Sequence, residues 1–419
     1  MSLTRIIIFL VLFLIDLYVF QAVKLVSSDL GNTSKTVIYT VYWSMTVISL
    51  GALIVNSFYD FHLWNRRIAT YSFAVIVLTY VSKIFVVVFL LIDDIIRLIR
   101  WVVTLFHKKP MEGSMVEVST GNGITRLEFL SKMGLMIAAI PFFSLIYGMI
   151  RGPYRFQIRK EKLLFNKLPD SFVGLKILQI SDIHSGSFLT THPMQDLVNL
   201  VNKQKADIVF ITGDLVNNVN TEMKDFKNIL NQITAPLGVF SILGNHDYGD
   251  YMHWNSPEEK VANLNALKQT HKDLGWKLLL NEHFILEKGN DKIGIIGVEN
   301  WSSIMRHNKY GDLAKAIKDM PEVPVKILLS HDPTHWHHEV STKYNDIDLT
   351  LSGHTHGMQF GVEIPGFKWS PVQYVYKEWA GLYKKDSQYI YVNRGAGFIG
   401  YPGRVGIMPE ITVIELVKG

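Results

Sequence analysis

Val239-Phe240-Ser241-Ile242-Leu243-Gly244-Asn245-His246-Asp247 passes from a β-branched and aromatic run straight into a glycine followed by an amide, an imidazole and a carboxylate. The apolar run reads as a buried strand and the glycine as the turn that ends it. The same arrangement recurs along the chain. Lys176–Ile180 leads into Asp182-Ile183-His184, Ile208–Thr212 into Gly213-Asp214, and Val325–Ser330 into His331-Asp332; a fifth run leads into Gly353-His354-Thr355-His356-Gly357. From about Arg155 onward such runs alternate with polar helical stretches, which predicts an α/β domain. In open sheets ligands gather beyond the carboxyl ends of the strands, where all five clusters fall.

These clusters share one chemistry. The chain has no cysteine, which excludes disulfides, thiolate metal sites and cysteine nucleophiles. Carboxylate, imidazole and amide donors without thiols suit Mn, Fe, Zn and similar divalent ions, and a lone aspartate between two such sets can bridge a pair of them. Two ions about 3.5–4 Å apart clamp a phosphoryl group and generate a hydroxide for in-line attack. A protonated histidine beside them can protonate the leaving oxygen. Taken singly each cluster has a plainer reading: Asp182 as a helix cap, Asp214 and Asn245 as turn residues. All five in order, each at the end of an apolar run, point together to a metal site.

This order, D-x-H, G-D, G-N-H-D, H and G-H-x-H over Leu175–Glu415, resembles the calcineurin-like metallophosphoesterase superfamily. Gly353–Gln359, Tyr391–Gly397 and Met408–Ile411 are similar to its membrane-associated bacterial branch, typified by YkuE and YaeI. The resemblance implies a layered α/β/β/α sandwich and a two-metal hydrolase. It implies that Asp182, His184 and His356 hold one ion, that Asn245, His331 and His354 hold the other, and that Asp214 bridges them. His246 would stand beside the scissile phosphate, oriented by Asp247, and Arg394 would contact phosphate or make a structural salt bridge. Met358 and Asn217 depart from the branch, which usually has glycine and often an acidic residue there; neither is expected to touch a ligand position. Relatives in this branch resemble pyrophosphatases of lipid A assembly, which implies a lipid-linked substrate.

The amino-terminal part has another character. Of 419 residues 48% are hydrophobic, and the excess lies in the first 150 or so. Ile6–Val23, Thr36–Phe58, Ile68–Ile92 and Phe129–Ile150 each approach the ~20 residues that cross a bilayer, so residues 1–152 are expected to form a helical membrane domain and 153–419 the catalytic domain. The first span reads as an anchor rather than a cleaved signal. Asp16 stands out as the acidic residue inside a span and is expected to face another helix or to lie near the interface; paired intramembrane charges, which a sensor or transporter would favour, are not expected. Pro141 predicts a kink in the fourth span. Residues 92–106 carry an apolar stripe that reads as an interfacial helix or an extension of the third span, and Pro110–Gly123 reads as a loop.

Lys and Arg outnumber Asp and Glu by 42 to 37, but the basic residues flank apolar segments, and nucleic-acid binding is not expected. The expected function is hydrolysis of a phosphomonoester, phosphodiester or pyrophosphate by metal-activated hydroxide at a bacterial cytoplasmic membrane, on a side the flanking charges do not choose. The alternative is a metal-binding scaffold or regulatory membrane protein that keeps the fold without turnover. His335, His337 and His338 have no place in the metal pattern and are expected to be mostly exposed. Phe360, Phe367, Trp369, Tyr374, Tyr376, Trp379 and Tyr383 form a wall for an amphiphilic substrate, a foot on the bilayer, or ordinary packing over the sheet edge.

Overall fold

The computed structural model describes residues 3–59, 61, 64–106, 125–304 and 309–419; the expected loop Pro110–Gly123 lies outside them. The chain divides into two compact units, Met1–Tyr147 and Gly148–Gly419.

The first unit contains α1 (Leu3–Val26), α2 (Asn32–Phe58), α3 (Arg66–Phe106) and most of α4 (Arg126–Arg151), all long and apolar enough to cross a membrane. Their outward residues, such as Ile7, Leu10, Val41, Ile48, Val88, Ile140 and Phe143, are large and apolar. A small core of Val19, Ala22, Val86, Leu90 and Ala138 holds them together. Residues 92–106 belong to α3 without a break, so the extension reading holds and there is no separate interfacial helix. Helix α4 also runs through Pro141.

The polarity of this unit is inverted, with charge on the inside. Asp16 is buried and accepts hydrogen bonds from Thr46 at 3.0 Å and from the Tyr80 hydroxyl at 3.1 Å. It also pairs with Lys83 of α3, whose ammonium lies 4.2 Å from the centre of the Tyr42 ring. Asp16 faces its neighbours as expected, but the expectation of no paired intramembrane charge is wrong. Lys83 supplies the partner from within the third span, because a desolvated carboxylate in hydrocarbon is tolerable only beside a cation and further donors.

The second unit is built on two six-stranded sheets. One has the order β1 (Gln157–Phe165), β14 (Glu410–Lys418), β2 (Lys176–Ile180), β3 (Ile208–Thr212), β4 (Val239–Ile242), β5 (Lys277–Leu278), parallel except where β14 meets β2. The other has the order β12 (Gly381–Lys385), β13 (Gln388–Val392), β9 (Leu349–Ser352), β8 (Lys326–Leu329), β7 (Asp291–Gly297), β6 (Glu282–Lys288), parallel in its centre. A short hairpin, β10 (Val362–Ile364) with β11 (Phe367–Trp369), stands apart.

Alternation along the strands sets the layers. Ile177, Phe210, Ile242, Ile295, Ile327 and Leu351 fill the space between the sheets. Leu178, Val209 and Ile211 point the other way and pack with Leu197 and Val201 of α5 (His192–Lys203), Leu230 of α6 (Lys227–Leu230) and Leu267 of α7 (Pro257–Asp273). Leu328 and Ile296 bury the outer face of the second sheet against Trp336 and Val340. The result is the layered sandwich expected, with β2, β3, β4, β8 and β9 running parallel within their sheets.

Candidate metal centre

The loops after β2, β3 and β9 turn sharply on leaving their strands. A Cβ on Gly213 would stand 2.6 Å from the Gly244 nitrogen and 2.7 Å from His331 Nδ1, so glycine lets the β3 and β4 loops touch. Asp182 (φ 51°), His184 (47°), Asp214 (55°), His354 (70°) and His356 (52°) all adopt left-handed backbone. That conformation costs a residue with a Cβ about 1–2 kcal/mol. It persists where the surroundings over-determine it, and such residues cluster at functional sites.

Donor atoms converge in two groups, Asp182 with His184 and His356, and Asp214 with His331 and His354. In the first, His356 Nε2 is 3.2 Å from Asp182 Oδ1 and 3.1 Å from His184 Nε2. In the second, Asn245 Oδ1 is 3.2 Å from His331 Nε2 and 2.8 Å from His354 Nδ1. Asp214 Oδ2 lies 3.1 Å from His331 Nε2 and 3.5 Å from His184 Nε2, between the groups. The structure thus brings all seven expected ligand residues together.

These residues fit divalent ions. His331 donates Nδ1–H to the Thr212 carbonyl at 2.7 Å, which turns a lone pair on Nε2 toward the oxygens of Asp214 and Asn245. The Asn245 amide is fixed in turn, its Nδ2 donating to the Tyr251 hydroxyl at 2.8 Å. With His331 neutral three acceptors therefore meet, and either a proton on Nε2 or a metal cation reconciles them. Donors about 2.1 Å from one ion and at right angles stand about 3 Å apart, the spacing found here. His184 Nδ1 is satisfied by Asn217 Oδ1 at 3.0 Å, a partner that fixes tautomer and ring orientation. His356 differs: its Nδ1 meets a donor, Arg404 Nη2, at 3.1 Å.

The electrostatics agree. Burial would raise the carboxyls, yet His356 holds Asp182, and His331 with His246 holds Asp214, well below the usual carboxylate range. Burial pushes His184 down to about 3. His331 is pushed down by burial too, but the carboxylates of Asp214 and Asp182 lift it to about 10. A proton on His331 and a divalent ion answer the same negative charge and compete for the same lone pair.

Other expectations need correction. Asp247 does not orient His246. Its carboxylate accepts the backbone N–H of Asp214, Leu215 and Gly244 at 2.9 Å each and of Val216 at 3.2 Å, clamping the β3 loop that carries Asp214. His246 is held by Asn217, whose carbonyl accepts from Nδ1 at 2.8 Å. Asn217 therefore contacts both His184 and His246, contrary to the expectation that it touches no ligand position. Only its place three residues beyond Asp214 could have suggested this. Arg394 is 3% exposed and its guanidinium is taken by Glu410 and, at 2.7 Å, Glu363, so it forms a structural salt bridge and not a phosphate contact. Arg404, fully buried with Nε donating to the Gly397 carbonyl at 3.0 Å, had no sequence signal beyond its glycine-rich setting.

His335 is buried, bonded to Ser330 Oγ at 2.9 Å and stacked on Trp301, while His338 is exposed and His337 half-buried. The aromatic stretch divides: Trp379 is core, and Tyr376 holds His354 Nε2 at 2.8 Å through its hydroxyl. Met358 (57% exposed), Phe367, Tyr374 (77%) and Val375 leave an apolar face beside the histidine loop.

Residues 2–153 match a family model described as a probable calcineurin-like phosphoesterase transmembrane domain, and residues 175–358 match one described as calcineurin-like phosphoesterase. The uncharacterized metallophosphoesterase YkuE of Bacillus subtilis is 30% identical over 70% of this chain and 98% of its own. The phosphodiesterase YaeI of Escherichia coli is 28% identical over 70% of this chain and 100% of its own. A zebrafish (Danio rerio) transmembrane protein with metallophosphoesterase domain is 29% identical over 68% of this chain but only 62% of that protein. With the membrane helices, the layered sandwich and the paired donor groups, these similarities place the chain in the calcineurin-like metallophosphoesterase family.

Proposed function

We propose that the protein hydrolyses a phosphomonoester, phosphodiester or pyrophosphate of a lipid-linked substrate with two divalent ions, Mn, Fe or Zn, at a bacterial cytoplasmic membrane. The observation that carries this reading is Asp214 Oδ2, shared between His184 and His331 and so between two donor groups. Asp182, His184 and His356 would hold one ion, Asn245, His331 and His354 the other, and Asp214 both; when bound, the ions supply Lewis-acid polarisation of the phosphoryl group and activation of water.

The chain's own residues do the rest. The Asn217 carbonyl only accepts, so His246 carries a proton on Nδ1 and leaves Nε2 without a hydrogen-bond partner among the described residues. In the charged ring Nε2 delivers a proton to the leaving oxygen, a step typically worth about 10²–10⁴ in rate. Asp247 keeps the Asp214 loop rigid through four backbone N–H groups. The apolar face of Met358, Phe367, Tyr374 and Val375 supports an amphiphilic substrate, as do four membrane-spanning helices in the same chain.

The test is turnover of p-nitrophenyl phosphate, bis-p-nitrophenyl phosphate and lipid pyrophosphates by detergent-purified protein, stripped of metal and resupplied with single ions. Metal-dependent hydrolysis that falls at least about a hundredfold in Asp214→Ala and His246→Ala is expected. A protein that binds two ions and turns over none of these esters would instead be a scaffold.

A further inference from the structure

We infer that the membrane unit carries a second, separate binding site, for the phosphate headgroup of an anionic phospholipid, in the cavity among α1, α3 and α4. The cavity is about 620 Å³, within the range of ligand sites. Leu25, Leu90 and Leu127 make its apolar side, and Lys24, Arg97 and Ser131 its polar side.

Counting donors and acceptors fixes the sign of the ligand. Each carboxylate present has a cationic partner, although Asp93 Oδ2 takes no hydrogen bond among the described residues. Asp94 accepts from the Tyr18 hydroxyl and from Arg97 Nη2 at 2.8 Å; Asp93 takes Arg97 Nε at 2.8 Å and Arg126 Nε at 2.7 Å. Two negative charges thus meet two guanidinium groups. What is left over is one net positive charge, together with unpartnered donors. Lys24 has no carboxylate partner among the described residues, and its ammonium lies 5.7 Å from the Phe20 ring centre. The Ser131 hydroxyl is fully buried, lines the cavity and has no hydrogen-bond partner among the described residues. Arg126, next in sequence to Leu127 in the wall though not itself in the lining, has its Nη1 buried without a hydrogen-bond partner among the described residues. Arg126 begins the long helix α4, whose positive dipole end adds to the same field. Buried donors without acceptors are costly, and an anion with several oxygens satisfies them.

The setting fixes the source of that anion. Lys24 is two residues from the end of α1, Arg126 is the first residue of α4, and the apolar stretch of α3 stops at Ile92, just before Asp93. Charges at the ends of spans lie where lipid headgroups lie, and the leucine side of the cavity suits acyl chains. A phospholipid satisfies both halves; free phosphate satisfies one.

The full chain in detergent, titrated with phosphatidylglycerol, phosphatidylcholine or inorganic phosphate, tests this by mass spectrometry of the intact complex and by thermal unfolding. One phosphatidylglycerol should be retained per chain in preference to phosphatidylcholine, and Lys24→Glu should weaken it at least about fivefold, since each basic residue near anionic lipid contributes about 1 kcal/mol and the reversal adds repulsion. Lys24 is exposed, so its replacement does not threaten folding. Ser131→Ala should weaken binding less, and Lys35→Glu, outside the cavity, should leave it unchanged. Equal binding of both lipids, an unaltered Lys24→Glu, or equal stabilisation by inorganic phosphate would overturn the assignment. Every readout is binding or unfolding, so the result is independent of hydrolysis.

Discussion

Met358 sits in an awkward place. From His356 to Gln359 four consecutive residues have φ between 52° and 56°, and of these only Gly357 lacks a Cβ. Met358 is exposed, so packing returns little of the cost. Met358→Gly should raise the unfolding free energy by about 0.5–1 kcal/mol, the left-handed penalty less the greater freedom of glycine in the unfolded chain, seen as a higher thermal midpoint; a lower midpoint would show that the thioether packs in a way its exposure conceals. The metal-ligand candidates were readable in the sequence because hard, thiol-free sites draw on few residue types and parallel sheets put them after strands. Asn217 and Asp247 were not. Their roles depend on how a loop curls back, so that one carbonyl meets His246 and one carboxylate gathers four amides. Residue type and spacing do not encode that.

Among the elements, the helices of the membrane unit were evident from apolar length, and strands β2, β3, β4 and β8 from short β-branched runs. The Asp16–Lys83 pair was hidden because a lone lysine in an apolar span can also extend its stem toward the surface, and its partner lies 67 positions away. The pair ties α1 to α3 with α2 contributing Thr46. Asp16→Leu and Lys83→Met should each destabilise the membrane unit by about 3–5 kcal/mol, since each leaves a buried charge alone, while the double replacement should cost well below the sum. Reversible unfolding in mixed micelles would measure this cycle. Additive losses would show that the two charges do not depend on each other.

At the scale of the molecule, two compact units with separate cores predict two unfolding transitions rather than one. Ions held at Asp182, Asp214 and their neighbours stabilise only the second unit. Chelation should therefore lower one calorimetric transition, by about 4 kcal/mol if the free ion stands a thousandfold above its dissociation constant, and leave the other unmoved. A single transition, or an equal shift in both, would contradict this division.

The pairing of β1 with β14 has a consequence for how the protein is made. Gln157 lies opposite Glu410 and Phe165 opposite Lys418, so among the described residues the first strand after the membrane helices pairs only with a strand made after β2 to β13. β14 also separates β1 from β2 within the sheet. During synthesis α1 to α4 can enter the bilayer while β1 still waits for its neighbour, and the sandwich closes only when that late strand slides between β1 and β2. A chain released early, before residue 410, would leave a membrane-inserted stub whose β1 edge and β2 edge both stand open to other chains.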